Sequence, residues 1–241
     1  VSPGEKPEPE LAKKSEYSGK THVVVIDPGH GGRDPGAVSA DGTLKEKDLT
    51  LDVAKRVKAA LERNNPGITV ALTRTDDRFM SLEERSAAAN ALNADLFISI
   101  HCNSDTDTSS HGTETYYLSK ATSPRAMRAA ARENGLSPAK MSDLQATLLD
   151  LMVTSKKTES EALALAVSNS LEQVIPKARH RGVKQAPFYV LLGAKMPAIL
   201  VECAFMSNVR ECRKLHDPKY LDTIAQGLSN GAESYLKGLG E

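Results

Sequence analysis

His22-Val-Val-Val-Ile-Asp-Pro-Gly-His30-Gly-Gly32 is the stretch that decides the fold. Its β-branched run reads as a buried strand, and Pro28 with the glycines ends that strand abruptly. His30 therefore falls at a strand's carboxyl end, where open α/β sheets build their sites. Two further runs behave alike. Asp95-Leu-Phe-Ile-Ser-Ile-His101-Cys-Asn103 also delivers a histidine at its end, and Ala198-Ile-Leu-Val-Glu202-Cys-Ala-Phe205 delivers a carboxylate from an apolar segment. Two imidazoles and a carboxylate brought to one sheet edge are what a catalytic zinc site requires.

Strand-like runs continue at Ile68–Thr73, Thr113–Leu118 and Phe188–Leu192, beside Val23–Ile26, Leu96–Ile100 and Ala198–Val201. Helical stripes lie between several of them. Leu49, Val53, Val57, Ala60 and Leu61 form one, and Leu163, Val167, Leu171, Val174 and Ile175 form another. Asp217-Pro218 opens a last helix through Leu221, Ile224, Leu228 and Tyr235. The alternation predicts one α/β domain over 21–241, with a mixed, mostly parallel sheet flanked by helices on both faces. Val1 to Lys20 carries Pro3, Pro7 and Pro9 among charges, and reads as a solvated linker from a missing upstream domain. The region from about 120 to 158 breaks the rhythm with two short helical patterns of its own, and reads as an insertion.

Composition narrows the function. Lysine plus arginine and aspartate plus glutamate number 31 each, so nothing electrostatic points to nucleic acid or an anionic membrane. No apolar run approaches the ~20 residues that span a bilayer. The chain opens at Val1 with no charged n-region or apolar h-region, as a mature product or fragment would. Three cysteines are too few for a disulfide framework. By strand alternation Cys102 and Cys203 point away from the neighbouring site residues, into the core.

A catalytic zinc commonly takes three protein ligands and keeps one position open. Beside His30 and His101, the third must come from Asp34, Asp41, Glu46 or Asp48 in the loop after the first strand. Glu46 is favoured because it stands just before the helical stripe that starts at Leu49, although an acid there also complements a helix dipole. Glu202 lies in a run too apolar for an unpartnered charge. It is either a structural ion-pair member or a general base whose pKa burial and a cation tune.

Within the insertion, Ser123-Pro124 is a helix start and Asn134-Gly135 a stop. Ala126, Ala129, Ala130 and Glu133 share one face, so this helix can approach another surface closely and present Glu133 to it; a solvated acid at a helix end is the plainer reading. Leu144, Leu148, Leu149, Leu151, Met152 and Val153 leave the next pattern little polar face, which means burial or a docking surface.

Four ordered strings carry a resemblance: Ile-Asp-Pro-Gly-His-Gly-Gly (26–32), Thr-Arg-Thr-Asp-Asp (73–77) with Leu82, Arg85 and Asn90, Ser-Ile-His-Cys-Asn (99–103), and Ile-Leu-Val-Glu-Cys-Ala-Phe-Met-Ser-Asn (199–208). Together they resemble the zinc-dependent N-acetylmuramoyl-L-alanine amidases, more narrowly the cell-division amidases of Gram-negative bacteria. The resemblance implies a zinc-exopeptidase-like sheet, and one Zn2+ per chain on His30, Glu46 and His101. It implies Glu202 as the catalytic carboxylate, and cleavage of the amide between N-acetylmuramic acid and L-alanine of peptidoglycan. It further implies a periplasmic enzyme of septal wall splitting, exported with a signal peptide absent from this chain. Its insertion would plug the site through Glu133 as a fourth zinc ligand. An activator protein would dock on Leu148, Leu149 and Met152. Cys102 and Cys203 depart mildly from the family's usual alanine and small or hydroxylated residue. The rivals are a zinc exopeptidase, which commonly holds two metals, and a catalytically dead wall-binding module.

Overall fold

The computed structural model describes residues 22–39, 41–137, 139–141 and 156–238. Strands β1 (His22–Pro28), β2 (Ile68–Leu72), β3 (Leu96–Asn103), β4 (Thr113–Leu118), β5 (His180–Ala186) and β6 (Ala198–Phe205) form one sheet in the order β2-β1-β3-β6-β4-β5. The first four in that row run parallel, whereas β4 lies antiparallel to β6 and carries β5 parallel to itself. Helices α1 (Glu46–Asn64), α2 (Leu82–Ala91), α3 (Pro124–Glu133), α4 (Lys157–Val174), α5 (Val209–Leu215) and α6 (Pro218–Gly238) cover it. None of these is long and apolar enough to cross a membrane.

Strand alternation splits the core into two layers. Leu96, Ile98, Ile100 and Cys102 of β3 join Val53, Val57 and Leu61 of α1, Leu163 and Val167 of α4, and Ile224 and Leu228 of α6. Phe97 points the other way, into a layer with Ala89 of α2, Ala126 and Ala130 of α3, and Phe188. Cys203 also belongs to the first layer, so both site-adjacent cysteines are core residues, buried and free. The same alternation that sends Cys102 inward leaves His101 on the opposite face.

The right-hand edge of the sheet corrects the sequence reading. Phe188–Leu192 is not a strand; Tyr189–Leu191 is a single 3₁₀ turn after Pro187. Its apolar residues Phe188, Val190 and Leu191 are buried under α2 and α3 rather than in the sheet. The true edge strand is His180–Ala186, whose polar sequence HRGVKQA carries no alternation signal. An edge strand buries one side only partly, so it needs none. Helix α2 has little apolar stripe, and its sequence signal is the reciprocal capping box that Ser81 and Glu84 form at its start. The linker over 1–20 and the activator-docking residues Leu148, Leu149 and Met152 lie outside the described residues.

Helices α4 and α6 touch backbone to backbone. A Cβ on Gly231 would lie 2.4 Å from Val167 Cα. Alanine at a helix-interior glycine normally gains up to ~1 kcal/mol, but overpacking a rigid interface costs about 1–3 kcal/mol. The clash meets backbone and cannot be relieved by a rotamer. Gly231→Ala is therefore expected to lower the denaturant midpoint and Tm by about 1–2 kcal/mol worth of stability, checked by equilibrium urea unfolding.

Candidate active site

β1 stops at Pro28, and the chain turns through Gly29-His30-Gly31-Gly32 with His30 itself at φ +60°. A side chain on Gly29 would strike the His101 ring, 2.4 Å from its Cε1, so only glycine lets β1 end against that imidazole. His30 Nδ1 pairs with Asp34 Oδ2 at 2.8 Å, which turns Nε2 toward the sheet edge. There Nε2 stands 3.1 Å from Glu46 and 3.2 Å from Glu133. His101 Nδ1 comes from β3 and lies 3.1 Å from each of the same two carboxylates.

Glu46 is the first residue of α1 and is almost wholly buried. Its Oε1 accepts the Cys102 N–H and its Oε2 the Ala37 N–H, both at 2.8 Å, so backbone donors fix its orientation. The other acids of that loop are engaged elsewhere or stay outside the cluster. Asp34 holds the far side of His30, Asp41 accepts from Ser39 and Thr43, and Asp48 is a first-turn acid of α1.

One donor atom from each of His30, Glu46, His101 and Glu133 lies within 4.8 Å of every other. Four ligands at 2.0–2.2 Å in a tetrahedron would sit roughly 3.3 Å apart, close to the separations above. His30 Nε2 and Glu133 Oε2 are both buried without a hydrogen-bond partner, although they face each other at 3.2 Å. The charges tell the same story. Burial opposes a charged His30, yet Glu46, with Asp34 and Glu133, pushes it up to about 12. Burial likewise opposes a charged His101, and Glu133 with Glu46 raises it to about 9. Burial would raise Glu46, but His30 holds it down to about 2. Two buried carboxylates thus demand nearby positive charge, which a divalent cation supplies while leaving both imidazoles neutral. The residues present fit a metal ion.

Glu202 stands next to this set and is not part of it. It pairs in register with His101 across β3 and β6, and is fully buried. Burial first, then the Glu133 charge, drives its pKa well above the ordinary carboxylate range; Arg132 opposes the rise. Its Oε1 is 3.3 Å from Arg132 Nη2, and its Oε2 has no partner.

Helix α3 begins and ends where the sequence signals put it. Ser123 caps it by accepting the Ala126 N–H, Pro124 opens it, and Asn134 closes it. Ala126, Ala129 and Ala130 pack flat on the sheet's second layer, which lets Glu133 reach the two histidines. Arg132, unmentioned in the sequence reading, donates through Nε to Glu133 Oε1 at 2.8 Å and through Nη1 to Asn103 Oδ1 at 3.1 Å. Asn103 in turn donates to Glu114, a buried acid that also accepts from Tyr116, Arg181 and Lys184. Glu114 faces Glu202 across the antiparallel pair. The clue to Glu114 was a lone acid inside the Thr113–Leu118 strand run, the same signal that marked Glu202.

The family profile described as N-acetylmuramoyl-L-alanine amidase matches residues 24–234. The chain belongs to the N-acetylmuramoyl-L-alanine amidase family. AmiA of Escherichia coli (strain K12) is 37% identical over 234 residues, covering 92% of this chain and 79% of AmiA. LytC of Bacillus subtilis (strain 168) is 36% identical over 89% of this chain, which spans only 36% of LytC. AmiC of Neisseria meningitidis is 36% identical over 91% of this chain, which spans 54% of that protein. Among solved structures, an N-acetylmuramoyl-L-alanine amidase from Clostridium difficile 630 superposes with a TM-score of 0.71 at 34% identity, covering 90% of this chain and 97% of that one. AmiC2 of Nostoc punctiforme gives 0.69 at 33% identity, with coverage of 90% and 97%.

Asp34 reaches the cluster only through His30, so its removal should loosen a metal without deleting a ligand. Asp34→Ala is expected to weaken Zn2+ binding about 10–100-fold relative to the unaltered chain, measured by competition with a chromophoric chelator.

Proposed function

We propose that this chain is the catalytic domain of a zinc-dependent N-acetylmuramoyl-L-alanine amidase held in an autoinhibited state. It would cut the amide between the lactyl group of N-acetylmuramic acid and L-alanine of peptidoglycan, in the periplasm, during septal splitting. The observation that carries this reading is the convergence of His30, Glu46, His101 and Glu133 beside a buried Glu202, in a chain of the amidase family. Among the described residues this is the one such donor cluster, which favours a single-metal amidase over a two-metal exopeptidase.

His30, Glu46 and His101 would hold the zinc, with Asp34 fixing the first imidazole from behind. Zinc in such a donor set supplies Lewis acidity toward a carbonyl and toward water. Glu202 is the proton carrier: it takes a proton from the attacking water and delivers it to the leaving amine. Burial and the Glu133 charge raise its proton affinity, and its Oε2 has no hydrogen-bond partner in the plugged arrangement. Glu133 is the plug, since a fourth protein carboxylate leaves no position for substrate. Arg132 adds to the block by engaging Glu202 Oε1 as well as Glu133.

Release requires α3 to withdraw. The helix buries mostly alanine, about the least apolar area a packed helix can bury, so a partner's binding energy can displace it. The segment with Leu148, Leu149 and Met152 is the proposed dock for a periplasmic activator. A precedent for partnership is the CwlD amidase of Clostridioides difficile, solved in complex with the GerS lipoprotein, at a TM-score of 0.71 and 27% identity over 90% of this chain and 99% of CwlD.

Two substitutions test the assignment on purified sacculi. Glu202→Gln should retain zinc, read by metal analysis, while dye release falls about 10²–10⁴-fold in a chain freed of the plug; wild-type turnover would return Glu202 to a structural role. Glu133→Ala should keep zinc and raise basal activity at least about tenfold, because three ligands with an open position is the catalytic arrangement. Unchanged basal turnover would remove the autoinhibition reading.

A further inference from the structure

The string Thr73-Arg-Thr-Asp-Asp77 and Arg85 sit outside the donor cluster, yet they surround the turn that bears His30. Arg74 is wholly buried. Its Nε donates to Pro28 O and its Nη1 to Asp76 O, both at 3.0 Å. Its Nη2 donates to Gly29 O and to Lys47 O, both at 2.8 Å. Gly29 precedes His30, and Lys47 follows Glu46. One amino group thus joins the backbones beside two of the four donors, one from the β1 turn and one from α1. The Thr50 hydroxyl closes the ring: it accepts from Nη2 at 3.2 Å and donates to Gly29 O at 2.9 Å.

Arg85 works on the same turn from its other side. It donates to Asp27 at 2.9 Å, to Pro28 O at 2.8 Å and to His30 O at 2.8 Å. Asp27 is fully buried and also accepts from Thr73 and Ser99, so it anchors Arg85 to the sheet. Three successive carbonyls, Pro28 to His30, are therefore pinned by two guanidiniums. That over-determination holds a non-glycine residue in the left-handed region. Arg74 differs from Arg85 in that the oxygens it donates to are neutral carbonyls and a hydroxyl. A buried charge without a carboxylate partner is costly, and an apolar side chain would fill the space more cheaply. What an apolar side chain cannot do is span two backbones.

We propose that Arg74 is a positioning residue of the metal centre, whose Nη2 brace between Gly29 and Lys47 sets the distance between His30 and Glu46. The inference rests on the metal reading above. Lysine keeps the charge but is a single compact donor without the planar fork, so it holds one carbonyl and releases the others.

The test uses the full chain, with Zn2+ and Co2+ as probes. Arg74→Lys should raise the Zn2+ Kd about 10–100-fold by chelator competition, and shift the visible absorption of the Co2+ form, because ligand spacing changes. Thr50→Val removes one link of the ring and should raise the Kd in the same direction by less; it decides the matter should Arg74→Lys not fold. Leu228→Ala, a core cavity in α6, controls for stability: it should lower the Tm of the metal-free chain while Kd stays within about twofold. The proposal is overturned if Arg74→Lys, or Thr50→Val in its stead, lowers the metal-free Tm but keeps the wild-type Kd and Co2+ spectrum. A wild-type chain that binds no Zn2+ would overturn the metal reading itself and this inference with it.

Discussion

Two carboxylates buried against two imidazoles are the constraint on which the rest of the structure depends. Like charges about 4 Å apart repel by ~4 kcal/mol at the effective dielectric of a protein, several times what an exposed ion pair returns. Glu46 and Glu133 are therefore tolerable only with concentrated positive charge between them and the histidines. Arg132 offsets part of the Glu133 charge, and the rest of the surroundings are arranged for orientation. Backbone N–H groups of Ala37 and Cys102 aim Glu46, and Asp34 aims His30. The sheet supplies His101 and Glu202 in register from adjacent parallel strands. A cation in the middle would convert this expensive arrangement into a stable one.

Helix α3 couples that centre to the proposed regulation. Consecutive residues at its end do different work: Glu133 faces the two histidines, while Arg132 reaches Glu202, Asn103 and Glu133. In the autoinhibited reading the metal position and the proton carrier are blocked by one element. Neither can be freed alone by a small side-chain rearrangement, which argues for withdrawal of the whole helix. Behind Arg132, Asn103 links to Glu114 and its cations, so the plug is also fastened to the reversed strand β4.

Much of this was legible in the sequence, for reasons that can be named. The strand ends bearing His30, His101 and Glu202 stand out because parallel strands buried on both faces read as apolar runs, and a polar residue there is conspicuous. Helix α3 was bounded within a residue because its cap, its proline and its stop are local chemistry. Spacing favoured Glu46 over Asp34, Asp41 and Asp48 only weakly, since all four acids lie close together between β1 and the Leu49 stripe, and their separate partners are tertiary contacts. Strand β5 was hidden by an edge position that imposes no hydrophobic period. Phe188–Leu192 misled because a short buried apolar run looks alike as strand or turn. Arg132 was invisible, and Arg74 stood in a quoted string without a role, for a different cause: an arginine's partners are set by what lies within its long reach, and local spacing says nothing of that.

Placing the proposed plug, Glu133, on a helix rather than on a loop has an evolutionary consequence. Each residue of an α-helix advances 1.5 Å and turns about 100°. A one-residue insertion or deletion between Ser123 and Glu133 would therefore swing the acid well off the donor cluster, even with every side chain retained. Point changes along the exposed face of α3 leave that phase untouched. Under the plug proposal the exposed face of this segment is free to drift, whereas its length is locked to the geometry of two histidines on the far side of the contact.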